Sequence, residues 1–301
     1  MKKIIRWMKG DVWLDFIIYP FMVFVFVVML YPFLNVLAIA LNDSLDAVRG
    51  GIHIWPRQFS LMNFERLLDF DNLPRAALNS VLRTVIGTAS SVFFISLAAY
   101  ALSRKDFIYR KILMRLFTVS MYVAGGLIPS FLLIRSLGMM NTFHVYIIPG
   151  LISVWVMIIM RSFMDNLPIS LQESAMIDGA SDFTIYAKLI MPLCIPSIAT
   201  AVLFQSVGHW NSWWDAYLYS SRSPELSVLQ FELQKVLENT MQAQAQAQEM
   251  TGAEMVMMML QVTPRSIQMA ITVVVTLPIV LVYPFIQKYL IKGMLVGSVK
   301  G

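Results

Sequence analysis

Six long stretches without a charged residue limit what this chain can fold into. They cover residues 16–42, 84–103, 116–134, 136–160, 189–214 and 266–287, and none contains Asp, Glu, Lys or Arg. Each is long enough for a helix of about 17–25 residues, the length that crosses the hydrocarbon core of a bilayer. The sequence therefore predicts an all-α polytopic membrane protein with six transmembrane helices.

The composition favours a membrane bundle over soluble domains. Of the 301 residues, 58% are hydrophobic and 14% are charged, whereas a soluble domain usually carries about 25% charged residues. The net charge of +5 is explained by basic loops on one side of a membrane. No basic stripe with interleaved aromatic residues indicates a nucleic-acid partner. The single cysteine, Cys194, cannot form an internal disulfide, and we expect it to fill space in an apolar helix.

Lysine and arginine residues outside the windows predict the orientation. They are concentrated in three places: the N-terminal segment (Lys2, Lys3, Arg6, Lys9), the segment 104–115, and the tail (Lys288, Lys292, Lys300). Because such residues are enriched in cytoplasmic segments, both termini are predicted to be cytoplasmic, as six spans require. Segments 43–78 and 215–265 then become external loops. The first window is too long for the apolar part of a signal peptide, and no small-residue cleavage site follows it, so we expect a retained helix.

Several predicted spans contain helix breakers. Pro129 follows Gly125 and Gly126, and the later spans contain Pro192, Pro196, Pro278 and Pro284. Such breaks persist at membrane depth where neighbouring helices or water satisfy the freed backbone groups. This favours a bundle around a transport pathway, although kinked helices also occur in bundles with a purely structural role.

A charged stretch, residues 172–196, lies between two of the most apolar windows. Ser170 and Glu173 have the spacing of a capping box at the start of a helix. Gly179 supplies the left-handed residue that ends a helix, and Ser181 is placed to cap a second one. The stretch thus predicts a short helix, a glycine turn and a second helix on the cytoplasmic side. An ordinary interfacial helix between two spans is the alternative interpretation.

The same stretch resembles the EAA loop of binding-protein-dependent ABC importers, whose pattern is E-A-A, three residues, G, nine residues and I-x-L-P. It reads Glu173-Ser174-Ala175, then Gly179, then Leu189, Met191 and Pro192, with every spacing kept. Residues 174, 189 and 191 depart from the pattern by substitutions of similar size. Other segments typical of the family are "AYALSRKDF" at 99–107, "GGLIPSFLLIRSLGMMNTF" at 125–143, "WNSWWDA" at 210–216 and the C-terminal "YPFIQKYLIKGMLVGSVKG". From about residue 75 onward the chain resembles a maltose-type carbohydrate permease subunit of a complex-sugar sub-branch.

The resemblance implies the type I ABC importer permease fold in a bacterial plasma (inner) membrane. Residues 1–75 would hold the first span, and residues 76–301 a core with five spans, the coupling loop 166–192 and the external loop 215–265. It further implies a transport subunit that is not an enzyme and that moves oligosaccharides or other complex carbohydrates by alternating access. The implied partners are a second, similar permease in a heterodimer, two copies of an ATP-binding subunit and an extracellular or periplasmic solute-binding protein. No cofactor would bind this chain, since ATP and Mg would be held by the ATPase subunits.

The resemblance also assigns site residues. Those expected to contact the ATPase subunit are Glu173, Ser174, Ala175, Asp178, Gly179, Ala180 and Pro192. Those expected along the substrate pathway are Gly126, Trp210, Asn211, Trp213 and Asp215. The tail residues expected to contact the ATPase subunits are Gly297, Lys300 and Gly301. For the tryptophan-rich group, an aromatic belt at the membrane interface is the alternative to a sugar-stacking platform.

Motifs for an internal energy source or for catalysis are absent from the sequence. It contains no G-x-x-x-x-G-K-[ST] phosphate-binding loop and no G-x-S-x-G nucleophile elbow, and its three histidines are scattered. The charge-free windows also lack the carboxylates and basic groups by which many secondary transporters couple to ions. An importer for a peptide or an oxyanion, a stand-alone secondary transporter and a polytopic enzyme remain the alternatives, in that order.

The predicted external loop 215–265 contains two compositionally biased runs. Gln242–Gln248 is rich in helix formers and predicts a solvated helix or a flexible loop, or else a projection towards the solute-binding protein. The methionine-rich run 254–260 is too short to span a membrane and is expected to pack.

Overall fold

The structure is a computed structural model that describes residues 12–68, 72–247 and 264–298. Within these ranges the secondary structure is helical, apart from an isolated antiparallel bridge between Asn42 and Phe59. The predicted roles of the N-terminal basic residues, of the run 254–260 and of Lys300 and Gly301 lie outside the described residues.

The helices are numbered in chain order. They are α1 (Val12–Ala40), α2 (Ser44–Val48), α3 (Met62–Leu68), α4 (Leu73–Ser103), α5 (Arg110–Tyr122), α6 (Leu127–Ser136), α7 (Val154–Asp165), α8 (Ile169–Ile177), α9 (Asp182–Leu193), α10 (Ile195–Asn211), α11 (Trp214–Ser220), α12 (Leu229–Ala247) and α13 (Pro264–Ser298). Short 3-10 turns occur at Phe143–Tyr146 and Pro224–Leu226. Residues 242–247 of the Gln/Ala run form the end of α12.

Three of the six predicted spans are single helices long and apolar enough to cross a membrane. They lie at Leu14–Ala40 in α1, Leu73–Ser103 in α4 and Arg265–Pro284 in α13. Three further candidates are helix pairs with a sharp bend: α5 with α6 at 117°, α7 with α8 at 74°, and α9 with α10 at 83°. The all-helical class is confirmed, and six spans result if each bent pair is counted as one.

The predicted fourth span is where sequence and structure differ most. The window 136–160 was expected to form one helix, but only its last part, from Val154, is α-helical. Gly138 and Asn141 have positive φ angles of 68° and 54°, a conformation that interrupts a right-handed helix. Pro149 then lies just beyond the 3-10 turn and lacks the N–H that a helix would need. The absence of charge in this window therefore did not imply a continuous helix.

The described residues of 1–70 and 236–274 form one compact unit. The segment after α1 is held by side-chain hydrogen bonds. The Asn63 side chain donates to the carbonyl oxygens of Ala40 at 2.9 Å and Asn42 at 2.8 Å. The Asn42 amide donates to the Asp46 carboxylate at 3.0 Å, and Arg57 pairs with the same group. The Asn42 amide, more than the Arg57 guanidinium, lowers the pKa of Asp46 below its ordinary value. These polar contacts fix the loop that follows α1.

The described residues of 71–235 and 275–301 form the second unit. Its main apolar cluster joins α4, α7 and α9 through buried side chains that include Ile95, Met157, Met160 and Ile190. At the start of α4, the Asn79 amide donates to the carbonyl oxygens of Glu225 at 2.8 Å and Ser227 at 2.9 Å. The 224–229 segment is thereby held against α4.

One face of α4 carries small and polar side chains that allow close helix packing. Gly87 lies on this face, and a Cβ atom there would come within 2.7 Å of the His209 ring on α10. Small residues at helix contacts are typical of membrane bundles, where close backbone approach supplies much of the attraction.

The boundary predicted between residues 75 and 76, and the location of the termini, stay predictions.

Candidate functional site

The predicted coupling segment, residues 166–192, forms a helical hairpin of α8, a glycine turn and α9. The turn closes through two backbone bonds: Ala180 N donates to Ala175 O at 3.0 Å, and Gly179 N donates to Met176 O at 3.0 Å. This pair of bonds defines a Schellman ending, in which the residue after the C-cap is left-handed. Gly179 has the required φ of 78°. The glycine turn and the Ser181 cap, whose hydroxyl accepts from Thr184 N at 3.3 Å, confirm that part of the prediction.

The predicted capping box at Ser170 is wrong. Helix α8 begins at Ile169 with Pro168 as its N-cap, and no side chain caps it. Ser170 is therefore already inside the helix, where its hydroxyl cannot close the box with Glu173. Proline in this position explains the earlier start, because its fixed φ suits the entrance to a helix.

The outer surface of the hairpin combines acidic and apolar side chains. Glu173, Ser174, Asp178 and Gly179 are exposed, and the Glu173 carboxylate forms no hydrogen bond or ion pair with a described residue. Ile177 is 86% exposed and Phe183 is 64% exposed. The inner side is different, since Ala175 and Ala180 pack against the main apolar cluster.

Arg104, at the end of α4, connects the hairpin to the rest of the second unit. Its guanidinium bonds both carboxylate oxygens of Asp106, at 2.9 and 2.6 Å. It also lies 3.4 Å from Gln172 Oε1 on α8 and 3.4 Å from Asp182 Oδ1 on α9. The guanidinium bond lowers the pKa of Asp106, which therefore stays ionised, and the same bond raises the pKa of Arg104. The sequence analysis had used Arg104 only as one of several basic residues that predict the orientation of the chain in the membrane.

Helix α9 changes its winding before it meets α10. Residues Ile185–Ile190 form a π-helical stretch, and Pro192 follows in the next turn. Proline cannot donate a backbone hydrogen bond. A π-helical stretch and a proline are both known causes of a bend in a helix. The Cys194 N–H bridges the break by donating to Ile190 O at 2.9 Å and Met191 O at 3.1 Å. Cys194 itself is buried, as expected of a space-filling side chain.

Two of the predicted pathway residues make internal contacts. The Trp210 indole N–H donates to Val275 O at 2.9 Å, and the residue is buried. Asp215 forms an ion pair with Arg83, which bonds both carboxylate oxygens, and it also accepts from Ser212 Oγ at 3.2 Å. Arg83 is 2% exposed and also donates to Ser212 O at 3.0 Å.

Arg83 was not predicted, because it stands one residue before the charge-free window 84–103. In the structure it lies inside α4, with its guanidinium 4.8 Å from the centre of the Tyr146 ring. Asp215 stands one residue after another window. The position of each charge at the border of an apolar window was thus a signal that it could be buried. The sequence could not show that the two residues pair with each other.

The remaining pathway residues are more open. The Asn211 side chain is exposed and accepts from Gln230 Nε2 at 2.9 Å. Trp213 is partly buried in an apolar cluster, whereas Trp214 is 48% exposed and lies 5.5 Å, ring centre to ring centre, from Tyr217. Gly126 stands at the break between α5 and α6 with a φ of 87°.

Two further findings concern the tail and metal binding. Gly297 lies near the end of α13, while the other two predicted tail contacts are outside the described residues. Among the described residues, no three His, Cys, Asp or Glu side chains lie together in a way that would hold a metal ion.

The broken helices and the capped hairpin belong to a helical protein with three to six candidate membrane spans, and comparison with known proteins gives its family. Residues 91–296 match the family described as binding-protein-dependent transport system inner membrane component. The chain belongs to this family. It is a permease component of an ABC transport system.

Curated relatives and a solved structure agree with this assignment. The polygalacturonan/rhamnogalacturonan transport system permease protein YtcP of Bacillus subtilis is 38% identical, covering 95% of this chain and 98% of the relative. Protein LplC of the same organism is 35% identical over 91% of this chain and 90% of its own. A crystal structure of a bacterial ABC transporter that imports the acidic polysaccharide alginate matches with a TM-score of 0.81 and 25% identity, covering 93% of this chain and 98% of the other.

The buried ion pair generates a stability prediction. Asp215→Leu should lower the free energy of unfolding by about 3 kcal/mol, because it leaves the buried Arg83 charge unpaired. Arg83→Leu should lower it less, because the Asp215 side chain is 20% exposed. The measurement is denaturant unfolding of the purified chain in detergent micelles.

Arg75→Leu is the matched control, since Arg75 is an exposed residue of the same helix. The double variant Arg83→Leu/Asp215→Leu should lose less than the sum of the single losses, because it leaves no lone charge. Additive losses would contradict the pairing.

Proposed function

We propose that the chain is the permease subunit through which an ATP-driven importer moves oligosaccharides or other complex carbohydrates across the bacterial inner membrane. The observation that carries this proposal is the 38% identity, over 95% of the chain, with a polygalacturonan/rhamnogalacturonan permease. The likeness to an alginate importer supports the same substrate class. Energy would come from ATP, with Mg, bound on two copies of a separate ATPase subunit.

The α8–α9 hairpin is proposed as the contact with the ATPase subunit. It presents the Glu173 carboxylate, which forms no contact with a described partner, and the exposed apolar side chains of Ile177 and Phe183. A protein contact commonly combines an apolar centre with a polar rim. The Schellman turn and the Arg104 contacts hold the hairpin firmly, so that a push on it is transmitted to α4 and α10. Alternating access would follow from such movements at the helix breaks.

Both termini and the hairpin are proposed to be cytoplasmic. Arg104 connects the hairpin to the start of the basic segment 104–115, so the two lie at one end of the second unit. Basic segments favour the cytoplasmic side. Segments 43–78 and 215–265 would then face outward, towards a solute-binding protein, and a second, similar permease would complete a heterodimeric pathway.

The proposed ATPase contact predicts uncoupling. Glu173→Arg and Gly179→Val should reduce sugar uptake by about tenfold or more in the assembled transporter while ATP hydrolysis continues. The first change reverses the charge of the contact, and the second forces a β-branched residue into a left-handed position. The measurement is uptake and ATPase activity on the same proteoliposomes.

Conservative variants provide the controls for this experiment. Gly179→Asn should keep most of the uptake, since asparagine tolerates left-handed φ, and Glu173→Gln should keep more than the charge reversal. Wild-type uptake by both severe variants would contradict the assignment.

The substrate class is tested in intact cells. Cells that produce the complete transport system should take up labelled oligogalacturonides or other oligosaccharides, and deletion of this chain should abolish that uptake. Uptake should persist when ion gradients are collapsed and ATP is maintained. If uptake instead follows an ion gradient without ATP, or is specific for peptides or oxyanions, the proposal fails.

The sugar-platform interpretation of residues 210–216 predicts distinct effects for two exposed side chains. Asn211→Ala should raise the KM for sugar uptake, because a hydrogen-bonding group is lost. Trp214→Leu should do the same if the ring stacks on sugar, but should leave uptake unchanged if the ring belongs to an interfacial belt, since leucine keeps the apolar contact. The comparison is made at equal amounts of assembled transporter.

A further inference from the structure

A basic groove runs beside α5 and is not used by the proposed coupling or transport functions. Its volume is about 840 Å³. Five cationic residues line it: Lys105, Arg110, Lys111, Arg115 and Arg161. They come from the segment that precedes α5, from α5 itself and from α7. Together they concentrate positive charge at one end of the second unit.

The acidic residues near the groove are already paired. Asp106 also lines it, but its carboxylate is held by Arg104 through bonds of 2.9 and 2.6 Å. Asp165 lies 3.3 Å from Arg161 and 4.0 Å from Arg110.

Lys105, Lys111 and Arg115 are exposed and make no hydrogen bond or ion pair with a described residue. Three cations at the groove therefore lack a counter-charge in the described structure.

An apolar stripe adjoins these cations on α5. Ile108, in the turn before the helix, is 87% exposed, and Ile112, Leu116 and Val119 on the helix are 57%, 61% and 56% exposed. Residues three and four apart share one face of a helix, so the three helical positions form one row. Lys111 and Arg115 are likewise four apart and form the neighbouring row. Positive charge and exposed hydrocarbon thus run side by side.

We propose that this groove binds the phosphate headgroup of an anionic phospholipid, with an acyl chain lying along the apolar row. Basic pockets beside transmembrane helices bind such headgroups, and each basic side chain near an anionic membrane surface strengthens the attraction. A free phosphate ion would satisfy the cations but would leave the isoleucine and leucine side chains uncovered. The chain belongs to an inner-membrane family, so a lipid is present wherever this row meets the bilayer. The proposal does not depend on which solute is transported.

The test uses the full chain, purified with the subunits that remain bound to it and reconstituted in nanodiscs. Nanodiscs of phosphatidylcholine receive a small fraction of photoreactive phosphatidylglycerol. After illumination, the lipid should attach to peptides covering residues 105–119. Lys111→Gln/Arg115→Gln should reduce this attachment by about tenfold or more, because each cation near an anionic surface contributes about fivefold to binding.

The control variant Arg135→Gln/Arg222→Gln removes the same charge from two exposed residues that do not line the groove, and it should leave the attachment unchanged. Photoreactive phosphatidylcholine should attach to these peptides much less than phosphatidylglycerol does. Inorganic phosphate at millimolar concentration should not displace the lipid.

Three results would overturn the proposal. Equal labelling by the two lipids would mean that the groove does not recognise the anionic headgroup. Displacement by inorganic phosphate would mean that it binds the free ion. Loss of a copurifying protein subunit in Lys111→Gln/Arg115→Gln, with lipid labelling unchanged, would make the groove a protein contact.

Discussion

Backbone polar groups that a helix leaves free at its ends must find other partners, and this requirement shapes three of the breaks in the described helices. Where α8 ends, the N–H groups of Gly179 and Ala180 fold back onto carbonyls of the last turn. Where α9 meets α10, the Cys194 N–H serves the same purpose. Where α10 ends, the Arg83 guanidinium donates to Ser212 O. The first two breaks use backbone N–H groups and the third uses a guanidinium, and in each case the donor bonds a carbonyl group at the break.

The sequence predicted the elements that depend on local rules and missed those that depend on long-range contacts. The absence of charge predicted the helical class, and Gly179 predicted a turn because a left-handed residue there is a local requirement. Ser170 was misassigned because a proline two residues earlier competes for the start of the helix. Window 136–160 was misassigned because a stretch without charge need not be one continuous helix, and Gly138 and Asn141 interrupt this one. The pairing of Arg83 with Asp215 joins residues 132 positions apart, and no local pattern contains it.

The Arg83–Asp215 contact changes the role that we assign to the residues around it. Asp215 was predicted to bind substrate, yet both of its oxygens bond Arg83, and Trp210 donates its indole N–H to Val275. Their contacts indicate that these two side chains position α10 and α11. Asn211 and Trp214 remain exposed beside them. A rigid, internally bonded base with a few exposed polar and aromatic groups is the arrangement that preorganises a binding surface.

The α8–α9 hairpin, like the region around Asp215, has a packed inner side and an exposed outer side. Ala175 and Ala180 face the main apolar cluster, and Arg104 contacts both α8 and α9 from behind. Glu173 and Ile177 are exposed. A force applied to the exposed side reaches α4 through Arg104 and the core through the alanines, with few rotatable groups between. As the proposed ATPase contact, the hairpin would transmit a displacement because its inner side is packed, and its exposed residues could vary in contact strength without weakening the fold.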